Sequence, residues 1–217
     1  MRIMKMDKNL THITVVLDRS GSMQSCKDDA EGGLNSFVEQ QKQESGRCTF
    51  TMVEFDDQYD VLHNHVDIQT VGRYTLVPRG MTALLDAVGK AIQTTGDRIE
   101  NLSEDSTPGK VIFVIVTDGC ENSSKEYTRN QIKSLIKKKT DEYDWQFTFI
   151  GANQDAFAEA GSMGVRRGTT LNYNVANTQC VFTALSSNVS AYRAGDSKSI
   201  EYTSSQRISA MGGNSDA

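Results

Sequence analysis

The chain has 217 residues, 37% of them apolar, and a net charge of −5, which suits one large domain, or one domain with tails, built on a single core. The acidic balance gives no basic field for nucleic-acid backbones, so no nucleic-acid partner is expected. No run of about 18 apolar residues is present, so no membrane-spanning segment is expected. The start, Met1 to Lys8, carries charge without an apolar stretch of signal-peptide length, and a cytoplasmic protein is expected.

Residues 1–11 read as a loose N-terminal extension. The first strand runs from about His12 to Leu17 and opens at Asp18 into the loop Asp18-Arg19-Ser20-Gly21-Ser22-Met23. A carboxylate at a strand end with two hydroxyls two residues apart points three oxygen groups out of the carboxyl edge of a sheet, where open α/β sheets bind ligands. One carboxylate with neutral hydroxyls suits a hard cation such as Mg²⁺. Cys and His, the usual zinc ligands, are absent from this loop.

A helix follows, with Ala30, Leu34, Phe37 and Val38 on one face and Asp28, Asp29 and Glu31 near its amino end, where the helix dipole favours negative charge. It stops near Ser45-Gly46. Cys48 to Phe55 and Tyr59 to His63 read as strands joined by the turn Asp56-Asp57-Gln58, an antiparallel hairpin. Alternation would put His63 and His65 on one face of a surface edge strand, a position favoured over a metal site. Val66 to Gly80 shows no period and is a long connection leading to Thr82.

Leu84, Leu85, Val88, Ala91, Ile92 and Ile99 form the stripe of the next helix. Asp86 is placed to bond nearby loop groups, and Gly89 to allow close packing on the sheet. Asn101 to Gly109 is a surface loop. Val111 to Val116 is apolar without alternation, as a central strand covered on both faces requires. After Asp118 a polar loop leads to a helix through Ile132, Leu135 and Ile136. Its basic face, Lys125, Arg129, Lys133, Lys137, Lys138 and Lys139, reads as solvated, with a docking patch for an acidic partner as the rival reading.

Trp145 to Ile150 is a strand, followed by Gly151-Ala152-Asn153 and a short helix over Phe157 and Ala160. Thr169 to Asn174 is the last strand, and Phe182, Leu185, Val189 and Tyr192 mark a closing helix. From Asp196 onward the chain is rich in Ser and Gly and reads as a flexible polar tail, 196–217, behind a domain over 12–195. The four scattered cysteines, Cys26, Cys48, Cys120 and Cys180, read as reduced packing residues. Cys120 is set apart by its place in the loop after Asp118. The alternation of strands and helices gives a doubly wound, mostly parallel α/β sheet with one antiparallel edge strand and helices on both faces.

Asp18-x-Ser20-x-Ser22 resembles the first motif of the von Willebrand factor type A (VWA) domain, whose metal centre is called the metal-ion-dependent adhesion site (MIDAS). Two further pieces resemble the family's pattern in its order: Thr82 in the loop before a central helix, and Asp118 at the end of the apolar strand Val111 to Thr117. The resemblance implies Asp18, Ser20, Ser22, Thr82 and Asp118 as the metal site. It also implies a divalent cation, Mg²⁺ with Mn²⁺ or Ca²⁺ as alternatives, and a partner protein supplying an Asp or Glu to the open coordination position. Arg19 and Met23, between the ligands, are candidates for partner contact or for scaffold. Self-association through the chain's own acidic residues stays open. VWA family members without a signal peptide and appended domains are of the bacterial or phage cytoplasmic type, including those linked to tellurite resistance, and the resemblance implies that type as the expectation for this sequence. Two other readings remain: a Mg²⁺-dependent phosphoryl-transfer enzyme, although Ser20 stands where the Asp-x-Asp of haloacid-dehalogenase-like phosphatases has its second acid, and a metal-free VWA scaffold serving assembly.

Overall fold

The computed structural model describes residues 6–152 and 156–213; the readings made above for residues 1–5, for Asn153 and for 214–217 lie outside them. The elements run β1 (Asp7–Asp18), α1 (Lys27–Gln43), β2 (Arg47–Phe55), β3 (Tyr59–Asp67), α2 (Leu84–Glu100), β4 (Pro108–Thr117), α3 (Arg129–Tyr143), β5 (Gln146–Ala152), α4 (Ala156–Ser162), β6 (Thr170–Tyr173), α5 (Thr178–Ala194) and α6 (Ser204–Ala210). The six strands form one sheet in the order β3-β2-β1-β4-β5-β6. Every pairing is parallel except β2 with β3, so the one antiparallel strand lies at the edge.

Pleating divides the central strands between two cores. Ile13, Val15 and Leu17 of β1 and Ile112, Val114 and Val116 of β4 face α1 and α5, where Phe37 and Phe182 fill the layer. Val16, Phe113 and Ile115 face α2, α3 and α4 with Leu84, Ile92 and Ile132. Burial on both faces is why β4 reads as an unbroken apolar run. Among the described residues no helix is long and apolar enough to cross a membrane.

Several local expectations are corrected. The first strand begins at Asp7, not His12: Asp7 N–H donates to Thr107 O over 2.9 Å, and pairing with β4 resumes at Thr11 after a register shift. Gly109 makes room for this segment, since a Cβ there would lie 2.7 Å from Asp7 O. Backbone pairing does not need apolar side chains, so Asp7-Lys8-Asn9 carried no sequence signal. Residues 196–213, read as part of a flexible tail, pack on the domain: Ile200, Tyr202 and Ala210 are buried in the α1/α5 core. Tyr202 Oη pairs with Thr148 Oγ1 at 2.8 Å, and a Thr203–Gln206 capping box opens α6. Three apolar residues at irregular spacing in a polar segment gave no period to read.

β3 continues to Asp67 through two register shifts, with His65 at φ +56°. Such bulges break the period-two alternation. His65 therefore turns inward and stacks on the buried His12, ring centroids 4.6 Å apart, instead of sharing a surface face with His63. Gly89 clears Tyr127, not the sheet: a Cβ there would sit 2.7 Å from the Tyr127 ring. On α3, Lys139 is buried with its Nζ over the rings of Tyr143 and Trp145, and Arg129 pairs with Glu159 at 2.6 Å. Lys125, Lys133, Lys137 and Lys138 are exposed. Cys26 and Cys48 are buried packing residues; Cys120 and Cys180 are exposed.

Candidate metal site

β1 and β4 lie side by side and end together, so Asp18 and Thr117 meet at the carboxyl edge. Asp18 is fully buried; its Oδ1 accepts from the Ser20 N–H at 2.6 Å and its Oδ2 from the Thr117 hydroxyl at 2.6 Å. The chain then turns through Ser20 and Ser22, whose Oγ atoms are 3.0 Å apart, and Ser22 Oγ donates to Asp118 Oδ1 at 2.7 Å. Thr82 arrives from the long connection. Its N–H donates to Asn122 Oδ1 at 2.9 Å, and its carbonyl accepts from the N–H groups of Asn122 and Ser123 at 3.0 and 3.2 Å.

All five sequence-predicted residues are thus brought to one place around Gly119. A Cβ built on Gly119 would lie 3.1 Å from Thr82 Oγ1, 3.2 Å from Ser22 Oγ and 3.7 Å from Asp18 Oδ2. Thr82 and Ser22 therefore stand no farther apart than the sum of their two distances. The missing side chain leaves a small space lined by oxygen atoms.

Neighbouring loops lock this arrangement. Gly21 N–H donates to Gly80 O, Arg79 N–H to Arg19 O and Ala83 N–H to Asp56 O, at 3.2, 2.7 and 2.9 Å. Asp86, as anticipated, reaches the loop: its carboxylate accepts from the N–H groups of Lys125, Glu126 and Tyr127 at 2.8 to 2.9 Å. Glu121 accepts from Ser123, Ser124 and Leu85 N–H groups. Thr117, Glu121 and Asn122 were not assigned roles from the sequence. Thr117 closes an apolar strand and the other two lie in a uniformly polar loop, so only the folded arrangement distinguishes them.

Arg19 and Met23 resolve to scaffold. Met23 is fully buried, and Arg19 turns away from the site to pair with Glu54, Asp56 and Asp60. Asp56 is shared with Arg79 at 2.8 Å. Burial raises the Asp18 pKa to about 6, with the Asp118 charge adding to it and the bonds from Thr117 and Ser20 opposing it. Burial likewise raises that of Asp118, against the Ser22 bond. Among the described residues neither carboxylate forms an ion pair with Lys or Arg. Nor is there a group of three or more His, Cys, Asp or Glu arranged to hold a metal. Two carboxylates without a counter-charge, facing three hydroxyls, fit a hard divalent cation, because such ions take oxygen ligands and supply the missing positive charge.

No family model matches the chain, and no curated protein matches it. Solved structures do. Proximal thread matrix protein 1 from the mussel byssus superposes with a TM-score of 0.60 at 16% identity, over 83% of this chain and 46% of its own. A further structure of that protein, with zinc occupying its MIDAS motif, gives 0.58 at 15% identity over 80% and 46%. The vWF domain of the type V pili tip protein Mfa5 from Porphyromonas gingivalis gives 0.58 at 12% identity, over 82% of this chain and 94% of its own. The ArnB paralog VWA2 from Sulfolobus acidocaldarius gives 0.53 at 17% identity over 82% and 44%. This chain spans under half the length of the mussel and Sulfolobus proteins. At these identities the likeness concerns architecture, and it establishes that the chain has the fold of von Willebrand factor type A domains.

Proposed function

We propose that the protein is an interaction module in which Asp18, Ser20, Ser22, Thr82 and Asp118 hold a divalent cation, Mg²⁺ by preference, to receive an Asp or Glu of a partner protein. The observation that carries this reading is the convergence of three hydroxyls and two unpaired, buried carboxylates around Gly119. The zinc in the MIDAS of the mussel protein supports a divalent cation without selecting magnesium; the preference rests on an all-oxygen donor set. When bound, the cation supplies a Lewis-acidic centre with affinity for an anionic oxygen.

The protein's own residues do the rest. Asp18 is fixed by Ser20 and Thr117 and acts as a preset negative charge. The hydroxyls of Ser20, Ser22 and Thr82 present neutral oxygens that leave most of a cation's charge for an incoming carboxylate. Asn122 anchors the Thr82 backbone and so holds its hydroxyl in position. We propose binding without turnover, since Ser20 occupies the place of the second acid that a phosphoaspartyl mechanism uses. A cytoplasmic setting of the bacterial or phage type is proposed on the sequence resemblance alone.

Two measurements test the reading together. Titration calorimetry with MgCl₂ and MnCl₂ should show one site per chain that Asp18→Ala removes. Co-purification from the native host should recover a partner that a chelator releases. Equal recovery with and without chelator sinks the bridging role, and no heat with either metal sinks the metal site.

A further inference from the structure

A groove opens beside the candidate metal site. Its walls are the turn between β2 and β3, the first turns of α2 and the loop after β4, and its volume is about 590 Å³, within the range of ligand sites. Thr82 stands at its inner end. Met81 and Ala83, on either side of Thr82 in the chain, both line the groove, and so do Asn122 and Ser123, whose N–H groups donate to the Thr82 carbonyl. The groove therefore begins one residue from a proposed metal ligand.

Its charges largely balance. Lys90 pairs with Glu126 at 2.6 Å, the Asp86 carboxylate is taken up by three loop N–H groups, and the exposed Asp57 and Lys125 have opposite signs. Neither sign of charge is favoured as an occupant. What the groove offers instead is apolar contact. Met81 is 54% exposed and belongs to neither hydrophobic core, so its thioether chain is free to meet an incoming side chain and to adapt to its shape. The half-buried Tyr59 adds a second apolar surface, and the buried Ala83 and Ala87 close the floor without filling the space.

In an extended segment, side chains two residues apart point to the same side and stand about 6.6–7 Å from one another. An acid held at the metal therefore turns the side chain two positions away toward the same surface, within reach of a groove that starts at Met81. We propose that the groove receives an uncharged apolar side chain of the partner, two residues from the Asp or Glu that reaches the metal, and that Met81 sets this preference. The proposal rests on the cation-bridging function and adds a sequence preference to it.

The test compares two synthetic peptides, acetyl-LGEGL-amide and acetyl-AGEGA-amide, titrated into the full chain in MgCl₂ and followed by NMR. Two resonances report separately: the Gly119 amide beside the proposed cation, and the Met81 methyl group in the groove. Both peptides should shift Gly119 saturably, and EDTA should abolish that shift. The leucine peptide should half-saturate at a concentration lower by about fivefold or more, as partial burial of one leucine side chain implies, and it alone should move Met81. Met81→Ser changes an exposed side chain and leaves the Thr82 main-chain bonds in place. It should bring the two half-saturation concentrations together, while Gly119 keeps its response to MgCl₂ alone. Equal half-saturation by both peptides in the wild type overturns the groove and leaves the cation bridge standing. A Gly119 amide unmoved by either peptide in MgCl₂ overturns the cation bridge and this proposal with it. A leucine preference undiminished in Met81→Ser places the apolar contact elsewhere and overturns the proposal.

Discussion

The Ser22 hydroxyl donates to Asp118 Oδ1 across 2.7 Å although 96 residues separate them. With the Thr117 hydroxyl on Asp18 Oδ2, it ties the ends of β1 and β4 into one rigid edge. The oxygen cradle is thus assembled by the fold itself, and a single hydroxyl can be removed from it without dismantling it.

Thr82→Ala is the sharpest test of that separation. Its backbone bonds to Asn122 and Ser123 survive the change, so stability in chelator should fall by no more than about 1 kcal/mol. Saturating wild type with Mg²⁺ at about 100 times its dissociation constant should add about 2.7 kcal/mol, or roughly 5–10 °C in Tm for a chain of this size. The variant should lose most of that gain. Paired melting curves in MgCl₂ and EDTA measure it, and a full gain in Thr82→Ala would remove this residue from the site.

Arg19→Ala should be far more damaging, although Arg19 touches no proposed ligand oxygen. Its guanidinium is buried among Glu54, Asp56 and Asp60, and removing one partner of a buried ionic cluster costs about 3–5 kcal/mol. The Asp56 backbone also receives Ala83, beside Thr82, so metal affinity should fall together with stability. Urea unfolding at neutral pH checks the first effect and calorimetry the second. A loss under 1 kcal/mol would show that water replaces Arg19 at little cost.

What could be read from the sequence was whatever repeats locally. The apolar runs before Asp18 and Asp118 fix two central strands, and the helical stripes fix α1, α2 and α5, so the doubly wound sheet and its carboxyl edge follow. Long-range polar contacts have no such periodicity. Nothing around Arg19 announces three carboxylates 35 to 41 residues away, and nothing in Glu121-Asn122 announces its hold on Thr82 and Leu85. Backbone-driven pairing hid the start of β1, and the two register shifts in β3 defeated the alternation that would have kept His65 outside.

The inward turn of His65 gives the protein a defined acid sensitivity. Burial, with the charges of His65 and Arg98 adding to it, holds the His12 pKa down at about 3, against 6.5 for the free side chain. Between those values the unfolded chain binds the extra proton, so this stability is present above pH 6.5 and lost as pH falls toward 3. The slope is at most about 1.4 kcal/mol per pH unit. Asp18, raised to about 6, acts in the opposite sense in the absence of cation, so the comparison must be a difference between two chains that share it. In EDTA, the stability advantage of wild type over His12→Gln should shrink by about 3 kcal/mol from pH 7 to pH 4. A constant difference would mean that the buried ring takes up its proton in the folded state as readily as in the unfolded chain.

Two adjacent glycines of α1 should respond to alanine with opposite sign. Neither has a positive φ, so helix propensity favours alanine at both by about 1 kcal/mol. At Gly32 a Cβ meets nothing within 4 Å, and Gly32→Ala should stabilise by about 0.5–1 kcal/mol. At Gly33 a Cβ would fall 2.1 Å from Phe182 Cδ2, where the α5 ring packs fully buried against α1. A Cβ that close cannot be accommodated without displacing this ring, so overpacking of about 1–3 kcal/mol outweighs the propensity gain and Gly33→Ala should destabilise. Chemical denaturation of the two variants side by side reads the sign directly. Stabilisation by both would mean that the α1–α5 contact yields to one methyl group more easily than a close-packed interior should.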